Sequence, residues 1–257
     1  MKNPMSLKGR TIFITGAGQG IGLATAQQAY ELDANLVLVD INQETLDEMT
    51  RQFESGRVLA CAGNITDSVE VAAIFQQSIE RFGALNGLVN CAGIIRPAMI
   101  HKMTDDQWKQ VIDVNLTGSY YCVQAFGQAA LAHIEAGNNV PRSIVNVSSI
   151  AGRAGTIGQI NYSAAKAGLF GVSMSAAREW AKYDIRANSV CFGLVETPMT
   201  ETVRGEKFRD MALSKIPMNR WSTVEEAAQP ICFLLSGASS FITGQTINID
   251  GGAYMSS

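Results

Sequence analysis

Short β-branched apolar runs alternate along the whole chain with longer stretches in which apolar residues recur every three to four positions. The short runs predict strands over 11–15, 35–40, 57–61, 87–90, 143–148, 186–191 and 246–249. The longer stretches predict helices over 21–32, 43–54, 68–82, 105–136, 160–183 and 224–235. Strand and helix in regular alternation predict a doubly wound α/β domain, a seven-stranded parallel sheet with helices on both faces, because right-handed crossovers carry each helix across the sheet. Glycine and proline fall at element ends, and neither a linker nor a repeat interrupts the pattern, so residues 1–257 read as one domain. Only residues 198–221 break the rhythm. There Arg204, Lys207, Arg209, Lys215 and Arg220 mix with Glu201, Glu206 and Asp210, and the architecture would hang this segment over the carboxyl ends of the strands as a substrate lid.

Composition then removes whole classes of function. The net charge is −3 with no basic run, so the electrostatic footprint of a nucleic-acid binder is missing. No apolar run approaches the about 18 residues that span a bilayer, and the polar N-terminus lacks the order of a signal peptide, so a soluble, cytoplasmic protein without membrane contact is expected. The five cysteines are widely spaced and never form a C-x-x-C pair, and the two histidines, His101 and His133, show no ligand spacing. Neither a disulfide framework nor a metal site is expected, and the chemistry must run without either.

The first strand leads through Thr15 into Gly16-Ala17-Gly18-Gln19-Gly20-Ile21-Gly22 and straight into a helix. Glycines at 16, 20 and 22 allow a tight turn, close approach to a diphosphate and close packing of helix on strand, while free N–H groups at the helix start attract phosphate charge. Asp40 closes the second strand, where a carboxylate can accept hydrogen bonds from adenosine ribose hydroxyls; a 2′-phosphate would meet it head on, and Ile41, Asn42, Gln43 and Gln19 supply no neutralising cation. That favours NAD over NADP. An aspartate here also serves as a helix N-cap, and S-adenosylmethionine enzymes hold a ribose in the same way, so other residues must decide.

Tyr162 and Lys166 stand four apart at the start of a helical pattern, on one face. An ammonium beside a phenol favours the phenolate, which suits a tyrosine that trades protons with an alcohol or carbonyl oxygen. Ser148 and Ser149 end the fifth strand at the ligand-binding edge of the sheet. With Asn90-Cys91-Ala92-Gly93, Asn115 and the closing Gly244-Gln245 and Asp250-Gly251-Gly252, these motifs make essentially the whole chain resemble the short-chain dehydrogenase/reductase family in its single-domain form. The resemblance implies Tyr162 as general acid/base and Lys166 as the residue that lowers its pKa and binds the nicotinamide ribose. It implies Ser149 as the group that polarises the substrate oxygen, and Asn115 as the kink in the fourth helix that holds a water. Asn90, Ala92 and Gly93 would pack by the cofactor, Asn64 and Ile65 by its adenine, and Val195 and Thr197 by the carboxamide and diphosphate. Two positions depart from the family pattern: Phe192-Gly193 replaces Pro-Gly, and Asn64-Ile65 replaces Asp followed by Val or Leu.

The resulting expectation is an NAD-dependent oxidoreductase that interconverts a secondary alcohol and a ketone. Within the family the sequence is similar to 3-oxoacyl-thioester reductases through Ile94-Ile95-Arg96 and Ile216 to Arg220, although those enzymes mostly prefer NADPH; small-molecule carbonyl reductases and polyol dehydrogenases fit the cofactor equally well. A methyltransferase, which usually ends its sheet with an antiparallel strand, and a non-catalytic dinucleotide-binding domain are the alternatives from other classes. The resemblance also implies a homotetramer.

Overall fold

The computed structural model describes residues 3–255; residues 1, 2, 256 and 257 of the expected 1–257 domain lie outside the described residues. Its seven strands are β1 (Thr11–Thr15), β2 (Asn35–Asp40), β3 (Val58–Ala62), β4 (Gly87–Asn90), β5 (Arg142–Ser149), β6 (Ile185–Phe192) and β7 (Thr246–Ile249). They form one sheet in the order β3-β2-β1-β4-β5-β6-β7 with every pairing parallel. β7 therefore runs with β6, and the antiparallel final strand of a methyltransferase is absent.

Side chains alternate across each strand, and the two faces feed two apolar cores. One face packs under α1 (Gly20–Glu31), α2 (Gln43–Thr50) and α10 (Val224–Leu235), with Ile14, Leu38, Val89 and Val190 against Ala26, Leu46 and Ile231. The other packs under α3 (Ser68–Phe82), α5 (Gly118–Glu135) and α7 (Ile160–Trp180), with Phe13, Leu88 and Ile144 against Phe75, Phe126 and Ala177. The chain reverses its direction of winding between β1 and β4, which opens a crevice beyond their carboxyl ends.

Most expected elements recur with ends moved by one or two residues, and the larger differences have local causes. The expected helix over 43–54 stops at Thr50. The expected continuous helix over 105–136 is α4 (Asp105–Ile112), a π-helical turn at Asp113–Thr117, and α5. The turn swells where the Asn115 amide leaves the helix surface to clamp the backbone of Ile94, accepting from its N–H and donating to its carbonyl, each at 2.8 Å. Residues 198–221 carry a 3₁₀ turn at Pro198–Thr200 and two helices, α8 (Glu201–Arg204) and α9 (Glu206–Leu213). Ala212, Ile216 and Trp221 tie this segment down in a small core of its own. Between β5 and α7 lies α6 (Ala151–Ala154), held against α7 so closely that a Cβ on Gly152 would sit 2.7 Å from the nitrogen of Ala167.

Candidate active site

The crevice is a cavity of about 340 Å³ along the carboxyl ends of the central strands. Its wall includes Gly16, Gln19, Gly20, Ile21, Asp40, Asn64, Ile65, Ala92, Gly93, Ser149, Tyr162, Lys166, Val195 and Thr197, so most of the residues singled out in the sequence meet in one place. Three do not reach the wall. Gly22 is buried in α1, the Asn115 side chain is occupied by Ile94, and Asn90 points into the sheet. There the Asn90 amide donates to Asn146 at 2.8 Å, Asn146 to Ser173 at 2.8 Å, and Ser173 meets Ser189 at 2.8 Å, a buried polar ladder beneath the crevice rather than a cofactor contact.

At the dinucleotide end the glycines are required sterically. Gly16 has φ +64°, and a Cβ on it would lie 2.7 Å from the Cα of Ala92. A Cβ on Gly22 would run into the carbonyl oxygen of Gly16. Thr15 completes the junction, its hydroxyl accepting from the N–H groups of Cys91 and Ala92 at 3.1 Å each. The N-terminus of α1 has no side-chain cap and no acid in its first turn, so its N–H groups are left for an anion. Above Gly20 stands the side chain of Thr197. This cradle fits a diphosphate.

Asp40 lies at the far end of the same cradle, and its carboxylate accepts from the N–H of Gly18 at 2.9 Å and of Asn42 at 3.2 Å. Capping of α2 falls to Asn42, which accepts from the N–H of Thr45, so Asp40 is not the N-cap. Asn64 turns its carbonyl oxygen toward Thr66, which donates to it from both backbone and hydroxyl at 3.0 and 2.8 Å. The group expected to accept from an adenine edge is thereby already engaged.

At the reacting end, β5 delivers Ser149 and α7 delivers Tyr162 and Lys166. Asn161, which is fully buried, sets the start of α7 by donating to the carbonyls of Arg96 and Gln107 and accepting from the N–H of Tyr162 at 2.8 Å. Sequence reading missed Asn161, for which the only signal was an amide side chain at a helix start beside the tyrosine. It also missed Val114 and assigned no contact of their own to Gly18, Ile41 and Met199; Gly18 holds the turn through Asp40, and the other three line the crevice. Ser148 uses its hydroxyl on the carbonyl of Lys166, leaving Ser149 as the serine that faces Tyr162. The Lys166 ammonium donates to the carbonyl of Val147 at 2.8 Å and stands 5.6 Å from the Tyr162 ring centroid.

The electrostatics of this pair differ from the expectation. Burial pushes the Tyr162 phenol up to about 12, outweighing the hydrogen bond from Ser149 that favours the phenolate, and Lys166 is not among the groups that pull it down. Burial likewise lowers the Lys166 ammonium to about 8. Proximity to Lys166 therefore does not offset the burial of the phenol in this structure.

We expect Gly22→Ala to raise the Kd for NADH by about 10-fold or more, since overpacking of this kind costs about 1–3 kcal/mol and the strain falls on the diphosphate turn. Fluorescence titration with NADH checks this; an unchanged Kd in a folded variant would show that the turn can shift without consequence.

A family model described as enoyl-(acyl carrier protein) reductase matches residues 16–254. A 3-oxoacyl-[acyl-carrier-protein] reductase of Thermotoga maritima is 41% identical over 250 residues, covering 96% of this chain and 99% of the relative. A (3R)-3-hydroxyacyl-CoA dehydrogenase of Canis lupus familiaris is 33% identical over 265 residues, covering 99% and 100%. Among solved structures, a gluconate 5-dehydrogenase of Burkholderia cenocepacia in complex with NADP and tartrate superimposes with a TM-score of 0.90 at 30% identity, over 97% of each chain. Sequence, sheet order and crevice agree over nearly the full length, and the chain belongs to the short-chain dehydrogenase/reductase family.

Proposed function

We propose that this oxidoreductase interconverts a 3-oxoacyl thioester and the corresponding 3-hydroxyacyl thioester with NAD(H). The observation that carries the reading is the meeting of Ser149, Tyr162 and Lys166 in the crevice whose other end is the glycine cradle and Asp40. The thioester comes from the names of the curated relatives, which favour the acyl-thioester alternative over a generic secondary alcohol dehydrogenase. The cofactor comes from Asp40, because relatives in this family include one solved with NADP and so leave that choice to the residues of this chain.

A bound nicotinamide supplies or accepts the hydride at the carbon that changes oxidation state. Tyr162, Oη protonated at neutral pH, gives its proton to the developing alkoxide oxygen in reduction and recovers it in oxidation. Ser149 donates a hydrogen bond to the same oxygen and holds it over the phenol. Lys166 keeps a positive charge beside the reacting centre, and Asn115, by gripping Ile94, fixes the loop after β4 that forms one wall. Pro198, Met199 and Thr200 also line the crevice, which supports reading residues 198–221 as a substrate lid anchored at Trp221. The assignment of one domain, a cytoplasmic location and a homotetramer remains part of this reading.

The test is a substrate panel with NADH: acetoacetyl-CoA against simple ketones, and 3-hydroxybutyryl-CoA against diols and polyols. The thioesters should show the higher kcat/KM. Turnover of diols alone would remove the thioester and leave the redox chemistry standing. A pH dependence follows as well. Lys166 is charged below its pKa of about 8 and neutral above it, while the phenol stays protonated to about 12. Reduction kcat/KM should therefore fall above about pH 8, and a flat profile to about pH 10 would show that the ammonium is not needed.

A further inference from the structure

We infer that the cavity between the C-terminal halves of α3 and α5 binds a small amphipathic carboxylate, its headgroup held by Arg142 and His133 and its tail by the methyl-lined wall. The cavity measures about 450 Å³; Ala72, Phe75, Ile79, Leu85 and Ala129 make its apolar wall, Gln76 and Gln128 also line it, and so do Arg142 and His133. It is remote from the active site. Arg142 begins β5 and Ser149 ends it, which at ~3.3 Å per residue separates them by about 23 Å.

Arg142 is 1% exposed. Strand alternation sets its direction: Ser143 donates to Leu234 on the α10 face, so Arg142 and Ile144 project to the face covered by α3 and α5. There the guanidinium donates to the carbonyl of Val140 at 2.9 Å and meets Nδ1 of His133 at 3.0 Å, while its Nε has no partner. No carboxylate pairs with it; among the described residues the ion pair found is Arg220 with Glu226, on the surface. Asp184 acts on Arg142 only from beyond salt-bridge distance, so a buried cation with an unmet donor has no carboxylate in contact, and an incoming carboxylate answers both deficits.

His133 adds a second donor. Arginine can only donate, so the tautomer that serves Arg142 has Nδ1 accepting; the other tautomer serves the carbonyl of Asn138, also 3.0 Å from Nδ1. In the first tautomer the ring proton resides on Nε2, and His133 lines the cavity beside Ala129, Ala132 and Ala136. A guanidinium and an imidazole N–H at one end of an apolar trough match a carboxylate on an aliphatic chain better than they match a bare phosphate, which would leave the alanine wall wet.

The probe is octanoate, titrated into the full-length enzyme while the histidine ring signals are followed by NMR. His101 is the other histidine, on the loop that leads away from Gly93 at the active-site end, and reports binding there instead. The expected result is a saturable shift of His133 with His101 unmoved, and octanamide binding about 10-fold more weakly for want of charge. Ala129→Phe, which fills the trough from a partly exposed helix position, should abolish the shift while leaving NADH-dependent turnover unchanged. Arg142→Met should do the same, and Ala129→Phe keeps the test decisive if Arg142→Met fails to fold. Absence of saturation, equal binding of octanamide, unchanged affinity in Ala129→Phe, or a shift confined to His101 would each overturn the site.

Discussion

Replacing Tyr162 with phenylalanine should lower kcat by about 10² or more while NADH still binds, because the loss of a positioned general acid/base removes a factor of about 10²–10⁴. The hydroxyl is the group lost; the ring remains to pack beside Lys166, whose ammonium keeps its bond to Val147. The stability change should be small, about 1 kcal/mol, since only a hydroxyl is removed and the burial cost of the phenol goes with it. A rate loss much larger than the stability loss therefore separates chemistry from architecture. The pH profile sharpens the distinction: with the phenol held at about 12, the resting enzyme presents a protonated Tyr162 across the physiological range, ready to act as an acid on a carbonyl oxygen. The limb near pH 8 belongs to Lys166 and should persist in the residual activity of Tyr162→Phe. Turnover within a few fold of the parent, measured with saturating NADH and acetoacetyl-CoA, would move the proton transfer to another group, of which Ser149 is the nearest.

The sheet and the reacting residues were legible in the sequence for physical reasons that differ. Strands buried on both faces must be continuous apolar runs, and the runs at Asn35–Asp40 and Gly87–Asn90 were therefore placed to the residue. The glycine turn was legible because a Cβ at 16 or 22 has nowhere to go. What the pattern could not show was where polar side chains would spend their bonding capacity. The resemblance places Asn115 and Asn90 at the site; Asn115 sits in the π-helical turn Asp113–Thr117 with its side chain on Ile94, and the Asn90 side chain donates to Asn146. The same is true of the π-helical turn, whose asparagine makes a tertiary contact 21 residues back along the chain, and of the expected 43–54 helix, which stops at Thr50. The sign of the phenol's shift failed for a related reason: spacing puts Lys166 near Tyr162, but only coordinates reveal that both are desolvated.

Coenzyme choice is the second large effect, and it turns on Asp40. NADH should exceed NADPH in kcat/KM by about 10² or more. Two like charges at about 4 Å repel by about 4 kcal/mol at an effective dielectric near 20, and a 2′-phosphate carries more than one. Among the described residues no compensating cation lines that end of the crevice: the wall there is Gln19, Ile41, Gly63, Asn64 and Ile65, and Lys166 stands at the reacting end. Asp40→Asn removes the charge and keeps an oxygen to accept from Gly18, so the turn should survive and the ratio should narrow by about 10-fold. Adding Ile41→Arg, at a position 75% exposed on the rim, supplies the missing cation and should bring NADPH level with NADH or beyond it. The paired variants matter because they separate repulsion from recognition. If Asp40→Asn loses NADH activity without gaining NADPH activity, the carboxylate acts through the ribose hydroxyls alone; if the parent already prefers NADPH, the repulsion assigned to Asp40 is answered by a cation that the crevice wall does not contain.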